Sequence, residues 1–168
     1  IGALLNPYKA KQLINHILSQ FTEEQVTAAE NHLKDLLFKN IDIDTFKTHL
    51  DLGLNDGGAG WNKLRAESFS KRIDDVIKHA EALAADYNKE LEPLADYLIN
   101  LFKIKMAPRI RLRFISFLKM RVENRIDVFG LQERLDTPIY LGGAGLYKNT
   151  AEKMVKEVEI MMLLKYSA

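Results

Sequence analysis

The stretch DGGAGWNKLRAESF, Asp56 to Phe69, returns 85 residues later as LGGAGLYKNTAEKM, Leu141 to Met154. Laid against itself at that offset without gaps, the chain shows 12 identities in the 36 positions that pair 41–76 with 126–161. The matches run from Ile41-Asp42 on Ile126-Asp127, through Leu50-Asp51 on Leu135-Asp136 and the two Gly-Gly-Ala-Gly runs, to Lys71 on Lys156. Exchanges such as Ile43 for Val128, Phe69 for Met154 and Ile73 for Val158 keep an apolar side chain where a core needs one. The period persists upstream, where Leu13-Ile14-Asn15 falls on Leu98-Ile99-Asn100. The pattern predicts a tandem duplication, with one unit over 1–85 and the other over 86–168, sharing an interface.

Apolar residues then fix the class of each unit. Leu13, Ile14, Ile17, Leu18 and Phe21 recur at three and four residues, the spacing of one helix face. Thr22 to Gln25, TEEQ, has the form of a capping box and opens a second helix to about Phe38, with Val26, Ala29, Leu33, Leu36 and Leu37 inward. Asp42 and Asp44 open a shorter third helix ending near Gly53. A long fourth helix, from about Leu64 to Asn88, carries Phe69, Ile73, Val76, Ile77, Ala80 and Leu83 on one stripe and runs on into the second unit near Glu90. Pro93, Pro108 and Pro138 stand near the expected helix starts of the second unit, where a missing N–H costs nothing. No useful period-two alternation appears. The expectation is all-α: two four-helix units of roughly 85 residues, packed together as a helical repeat or bundle.

At 168 residues, 47% of them apolar, the chain suits one domain or two small lobes with a common core. The absence of cysteine excludes disulfides, thiolate zinc sites and thiol nucleophiles. No apolar run reaches the roughly 18 residues of a membrane span, and no signal-peptide pattern is present. The composition favours a soluble, cytoplasmic protein, and a first residue of Ile1 rather than Met fits a processed or exported form.

The repeated glycines invite a phosphate-loop reading. Glycine lets backbone N–H groups approach an anion, and a following helix offers its positive end. On that reading Gly57, Gly58, Gly60 and Lys63, with Gly142, Gly143, Gly145 and Lys148, form two anion sites. The spacing lacks the Gly-x-x-x-x-Gly-Lys-Ser/Thr pattern and no strand precedes it, so the simpler reading is a turn with positive φ joining a short helix to a long one. Annexin loops also precede helices in repeats, but they continue with Thr and acidic residues where this chain has Trp61-Asn62 and Leu146-Tyr147. His16, His32, His49 and His79 lack metal-ligand spacing, and Asp42, Asp44, Asp51 and Asp56 fail the EF-hand pattern. No cofactor or metal is expected.

The net charge of +1 hides a basic block. Between 103 and 125 the chain sets Lys103, Lys105, Arg109, Arg111, Arg113, Lys119, Arg121 and Arg125 against Glu123 alone. Such bias points to an acidic protein surface or a nucleic acid. Ile110, Phe114, Phe117, Leu118 and Val122 form an apolar stripe on the same helix, widened by Leu112, Ile115 and Met120 until little is left to face water. The competing structural role for the arginines is pairing with carboxylates on neighbouring helices.

In APRIRLRFISFLKMRVENR, residues Pro108, Arg109, Arg113, Phe114 and Arg121 follow an Arg-apolar-Arg-aromatic run with a later apolar-Arg pair. This stretch of about 20 residues resembles the last helix of the HEAT-type middle domain of eukaryotic translation-initiation scaffold proteins. The resemblance implies stacked helix hairpins that bind helicases or RNA without catalysis. The chain departs from that pattern by a two-residue insertion, by lacking the following Asp-x-x-x-Leu-Arg order, and by being too short for five helix pairs. The expected function is a non-enzymatic interaction module, an adaptor or effector binding protein or RNA through the basic helix. Two alternatives remain open: a small-ligand-binding protein or enzyme holding an anionic ligand between the lobes near the GGAG loops, and an exported pathogen effector of tandem helical units.

Overall fold

The computed structural model describes residues 9, 10, 13 and 22–165. Among them the regular structure is entirely helical, without strands. The helices are α1 (Glu23–Leu37), α2 (Ile43–Asp51), α3 (Lys63–Leu101), α4 (Pro108–Val122), α5 (Val128–Asp136) and α6 (Lys148–Lys165), with short 3₁₀ turns at Leu54–Asp56 and Ile139–Leu141. The chain divides into two compact units, one holding residues up to Lys78 and the other running from His79.

Local chemistry explains the helix boundaries. The Thr22 capping box forms as the sequence predicts: Gln25 N–H donates to Thr22 Oγ1 at 3.3 Å, and Thr22 N–H donates to Gln25 Oε1 at 3.3 Å. Asp42 caps α2 by accepting from Thr45 N–H at 2.7 Å, and Asp127 caps α5 by accepting from Gly130 N–H at 2.7 Å. Pro108 is the first residue of α4, where its fixed φ suits a helix start. Pro138 precedes the second 3₁₀ turn.

Pro93 is different, since it lies inside α3 rather than at a helix start. The break in α3 is at Asp86, with φ −158° and ψ 94°, and the Asp86 carboxylate accepts from Lys89 N–H at 3.4 Å. Asp86 thus ends one helical segment and caps the next, which is why the long helix reads through as one element but is two helices joined end to end. The four helices expected of the first unit begin with one that lies mostly outside the described residues. Of its predicted stripe only Leu13 is described, and it is buried; Ile14, Ile17, Leu18 and Phe21 lie outside the described residues.

Elements recur at the 85-residue offset. Helices α1 and α4 are each 15 residues long, α2 and α5 are each 9, and each short helix is followed by a three-residue 3₁₀ turn. The turn leaving α1 places Lys39 at φ 60°, and the turn leaving α4 places Asn124 at φ 57°. Buried positions correspond too, but volumes are exchanged between them. Ala29, Phe46 and Phe69 in the first unit stand where Phe114, Leu131 and Met154 stand in the second, and all six are buried. The aromatic bulk thus sits on α2 and α3 in the first unit and on α4 in the second, the kind of exchange close-packed cores accommodate. In the first unit Trp61 lies edge-on to Phe69, with ring centroids 4.8 Å apart, and Phe46 lies 6.1 Å from Phe69.

Candidate functional site

Six glycines build the two repeated loops, and their geometry follows from two separate needs. Gly57, Gly60, Gly142 and Gly145 have φ of 84°, 70°, 95° and 71°, the left-handed region. Gly58 and Gly143 are there for close approach. A Cβ on Gly58 would lie 2.2 Å from Leu52 O, and one on Gly143 would lie 2.0 Å from Thr137 O.

The N–H groups of all six glycines donate to main-chain carbonyls. Gly57, Gly58 and Gly60 reach Leu54, Gly53 and Leu52 at 3.3, 3.0 and 2.8 Å, and Gly142, Gly143 and Gly145 reach Ile139, Pro138 and Thr137 at 3.1, 3.1 and 2.9 Å. The loop amides therefore have no free donor for an anion. The anion-site expectation for these glycines thus finds their amides already engaged, while Lys63 and Lys148 stand exposed beside the loops without an ion pair among the described residues.

What the loops expose is carbonyl oxygen, and the preceding 15-residue helix supplies the donors. In the first unit Gln25 Nε2 donates to Gly60 O at 3.3 Å and His32 Nε2 donates to Gly57 O at 2.9 Å. In the second unit Arg113 Nη1 donates to Ile139 O at 3.0 Å and to Gly143 O at 2.7 Å. Different residues on corresponding helices perform one task. His32 also lies 4.7 Å from the His49 ring, a proximity that spacing along the chain does not reveal. No group of three or more metal-ligating side chains occurs among the described residues.

The eight basic residues of 103–125 separate into two sets. Arg111 donates to Asp96 Oδ1 through Nε at 3.0 Å and pairs with it through Nη2 at 2.9 Å. Arg121 grips Glu159 with both arms of its fork, at 2.6 and 2.9 Å, and donates to Asn124 Oδ1 at 2.9 Å. Arg113 holds the loop, and Arg125 stands 3.8 Å from Glu123. Lys103, Lys105, Arg109 and Lys119 are exposed and have no ion pair or side-chain hydrogen bond among the described residues. Three of these four fall within seven residues, in the loop after α3 and the first turn of α4. Lys103 adopts φ 53°, as the Ile104 N–H closes onto Ile99 O at 2.9 Å in a helix-terminating turn.

Helix α4 is also less buried than its composition suggests. Leu112, expected to widen the buried face, is 64% exposed. It belongs to a larger set in the second unit: Phe129, Ile139, Tyr140, Leu141 and Tyr147 are all exposed. At the 85-residue offset, Leu112, Phe129, Tyr140, Leu141 and Tyr147 replace Thr27, Asp44, Asn55, Asp56 and Asn62 of the first unit. The exchange also runs the other way, for Phe38, Leu52 and Leu64 are exposed where the second unit has Glu123, Thr137 and Asn149.

Between the loop 102–107 and the second glycine loop opens a cavity of about 410 Å³. Its walls include Phe102, Ile104, Met106, Ile110, Ile139 and Leu146, with Lys103 and Lys105 also lining it. The sequence signal for this region was available as the apolar Ile139-Tyr140-Leu141 run in a turn, but the cavity itself is a product of packing.

The second unit also holds a polar group that the sequence does not announce. Tyr97 OH donates to Glu157 Oε1 at 3.1 Å, and Glu157 is fully buried. His79 is hydrogen-bonded to Glu90, and its ring lies 4.4 Å from that of Tyr97. Tyr87 donates to Glu123 Oε2 at 2.9 Å, and that hydrogen bond holds the Tyr87 phenol above its ordinary pKa by favouring the protonated form. No helix among the described residues is long and apolar enough to cross a membrane.

Comparison with protein-family models, with curated proteins and with solved structures finds no match to this chain.

Proposed function

We propose that the chain is a tandem duplication of a four-helix unit acting as a non-enzymatic interaction module, an adaptor or effector whose second unit docks an acidic protein surface. One observation carries the reading. At corresponding surface positions the first unit has Asn55, Asp56 and Asn62, whereas the second exposes Tyr140, Leu141 and Tyr147, the last of which lines one cavity with Lys103 and Lys105. Exposed apolar and aromatic side chains rimmed by unpaired charge are the composition of a protein-binding patch. The first unit serves as an internal reference, because a matching scaffold there keeps those positions polar.

The duplication is supported by helices of equal length and identical turns at one constant offset. A nucleic-acid partner is less well supported. Four of the eight cations are engaged within the second unit, leaving few for a phosphate backbone, whose affinity depends on the number of phosphates neutralised. The resemblance of α4 to the initiation-scaffold helix is a proposal of the same kind; of its matched arginines, Arg109 alone is unpaired among the described residues.

Fluorescence anisotropy with a short Glu-rich peptide bearing Leu and Phe anchors, and separately with a short single-stranded RNA, tests the reading. The peptide is expected to bind, and to bind at least about tenfold more weakly both to a Lys103→Gln, Lys105→Gln, Arg109→Gln variant and to a Tyr140→Ser, Tyr147→Ser variant. Absence of peptide binding, or RNA binding that is indifferent to the tyrosine changes and falls steeply with salt, overturns it.

A further inference from the structure

The cavity of the second unit differs from a solvent-filled surface dent in its lining. Eight of its wall residues are apolar, two are lysines, and none of the lining residues is acidic. At about 410 Å³ it falls within the ordinary range of small-molecule sites, roughly 300–1,000 Å³. It contains no His, Asp, Glu, Ser or Cys among its lining residues, and Lys103, Lys105, Tyr147 and Thr150 are its polar side chains. Its chemistry is that of binding.

At the 85-residue offset two of the lining residues have described counterparts of different shape. Leu146 occupies the position held in the first unit by Trp61, which is buried and packed on Phe69. Ile110 occupies the position of Gln25, whose side chain reaches across to Gly60 O. Replacing a tryptophan by a leucine removes much of a bicyclic ring, and replacing the glutamine removes the polar arm that spans to the loop. The surrounding scaffold is retained, with Ala144 buried like Ala59 and Ala151 buried like Ala66. Apart from Ala144 and Gly145, which match Ala59 and Gly60, the cavity is lined by residues that differ from their counterparts at the 85-residue offset.

We infer that this cavity binds a single-chain amphiphile with an anionic head, its alkyl chain against Ile104, Met106, Ile110 and Leu146 and its carboxylate or phosphate head towards Lys103 and Lys105. The apolar walls select the chain, since burying alkyl surface is the main driving force available there. The charge selects the head: two lysines without a lining carboxylate favour an anion and disfavour a cation. Tyr147 and Thr150, which also line the cavity, add hydroxyl groups able to donate to the head. The inference goes beyond the protein-docking reading and does not rest on it, although the two share Lys103, Lys105 and Tyr147.

Isothermal titration calorimetry with hexanoate, octanoate and decanoate, each below its micelle concentration, tests the proposal. Affinity is expected to rise about fourfold for each methylene added while the chain still fits. Decyl phosphate should bind like decanoate. Inorganic phosphate alone should not bind, which separates a lipid-like ligand from a free anion. The Lys103→Gln, Lys105→Gln variant should lose roughly tenfold in affinity for decanoate and little for decanol. Filling the cavity with Met106→Trp should abolish decanoate binding while leaving the exposed cations and the acidic-peptide interaction intact. If that variant fails to fold by circular dichroism, Ile104→Trp replaces it. Affinity independent of chain length, decanoate binding unaltered in the folded cavity-filled variant, or inorganic phosphate binding as tightly as decyl phosphate would each overturn the inference. Because the peptide and amphiphile assays use different probes and the cavity-filled variant is expected to lose only the amphiphile, failure of one reading is distinguishable from failure of the other.

Discussion

Arg113 and Gly143 are joined by a 2.7 Å hydrogen bond from the guanidinium Nη1 to the glycine carbonyl, 30 residues further along the chain. The same nitrogen donates to Ile139 O, so one side chain of α4 fastens both the 3₁₀ turn and the glycine loop. A residue that composition assigns to a binding surface is a structural clamp.

Replacing Arg113 by Gln should therefore lower stability by about 2 kcal/mol, since two main-chain oxygens lose a charged donor. Arg109→Gln, at an exposed position without an ion pair, should change stability by less than about 0.5 kcal/mol. Urea denaturation of the two variants checks the contrast, and equal effects would contradict the division of the basic block into clamps and free cations.

Glycines within one loop should respond unequally to alanine. Gly143→Ala and Gly58→Ala place a methyl group against a carbonyl oxygen and should each cost about 3 kcal/mol or more, because backbone has to move. Gly142→Ala meets nothing within 4 Å and carries only the left-handed backbone penalty of about 1–2 kcal/mol. Gly142→Asn should cost less still. Thermal unfolding of the set measures this order, and a Gly142 variant harmed more than the Gly143 variant would refute it.

The bidentate pair of Arg121 and Glu159 is partly shielded, with 12% and 27% of the side chains exposed. A double-mutant cycle of Arg121→Met and Glu159→Gln should give a coupling energy of about 1–2 kcal/mol, more than the near-zero value of an exposed pair such as Lys156 and Glu152. Equal coupling in the two pairs would show that the fork geometry adds nothing.

Asp42 supplies the pH dependence. The Thr45 backbone N–H, followed by the Thr45 side chain, holds its carboxyl below the usual carboxylate range. A folded-state pKa below the unfolded one means that the contribution is present above about pH 4 and is lost as pH falls through the folded value. Asp42→Asn keeps a capping side chain but removes the titration. The wild-type advantage in urea midpoint over this variant should accordingly shrink on acidification, and a difference constant from neutral pH to pH 2 would contradict the assignment.

Much of the helical architecture was legible because it rests on short-range chemistry. The capping box at Thr22, the Asp42 cap and the buried stripe of Phe69, Ile73, Val76, Ala80 and Leu83 each depend on residues within a few turns of one another. The positive φ of the repeated glycines was readable for the same reason. Pro93 was misplaced because Asp86, seven residues earlier, both ends one helix and caps the next, so an aspartate rather than the proline marks the junction.

The sequence by itself determined the helical period, the caps, the recurrence of the glycine motif and the presence of a basic block, all properties of residue order along one strand of chain. Only the tertiary structure decided which cations are free. Arg111, Arg113 and Arg121 find acceptors 15, 26 to 30 and 38 residues away, while Lys103, Lys105 and Arg109 find none among the described residues. It likewise decided that the glycine amides face inward and that a cavity remains beside Leu146. The reason is that a charge or an amide is satisfied by whatever folding brings within about 3 Å, and that distance is set by the packing of helices remote in sequence.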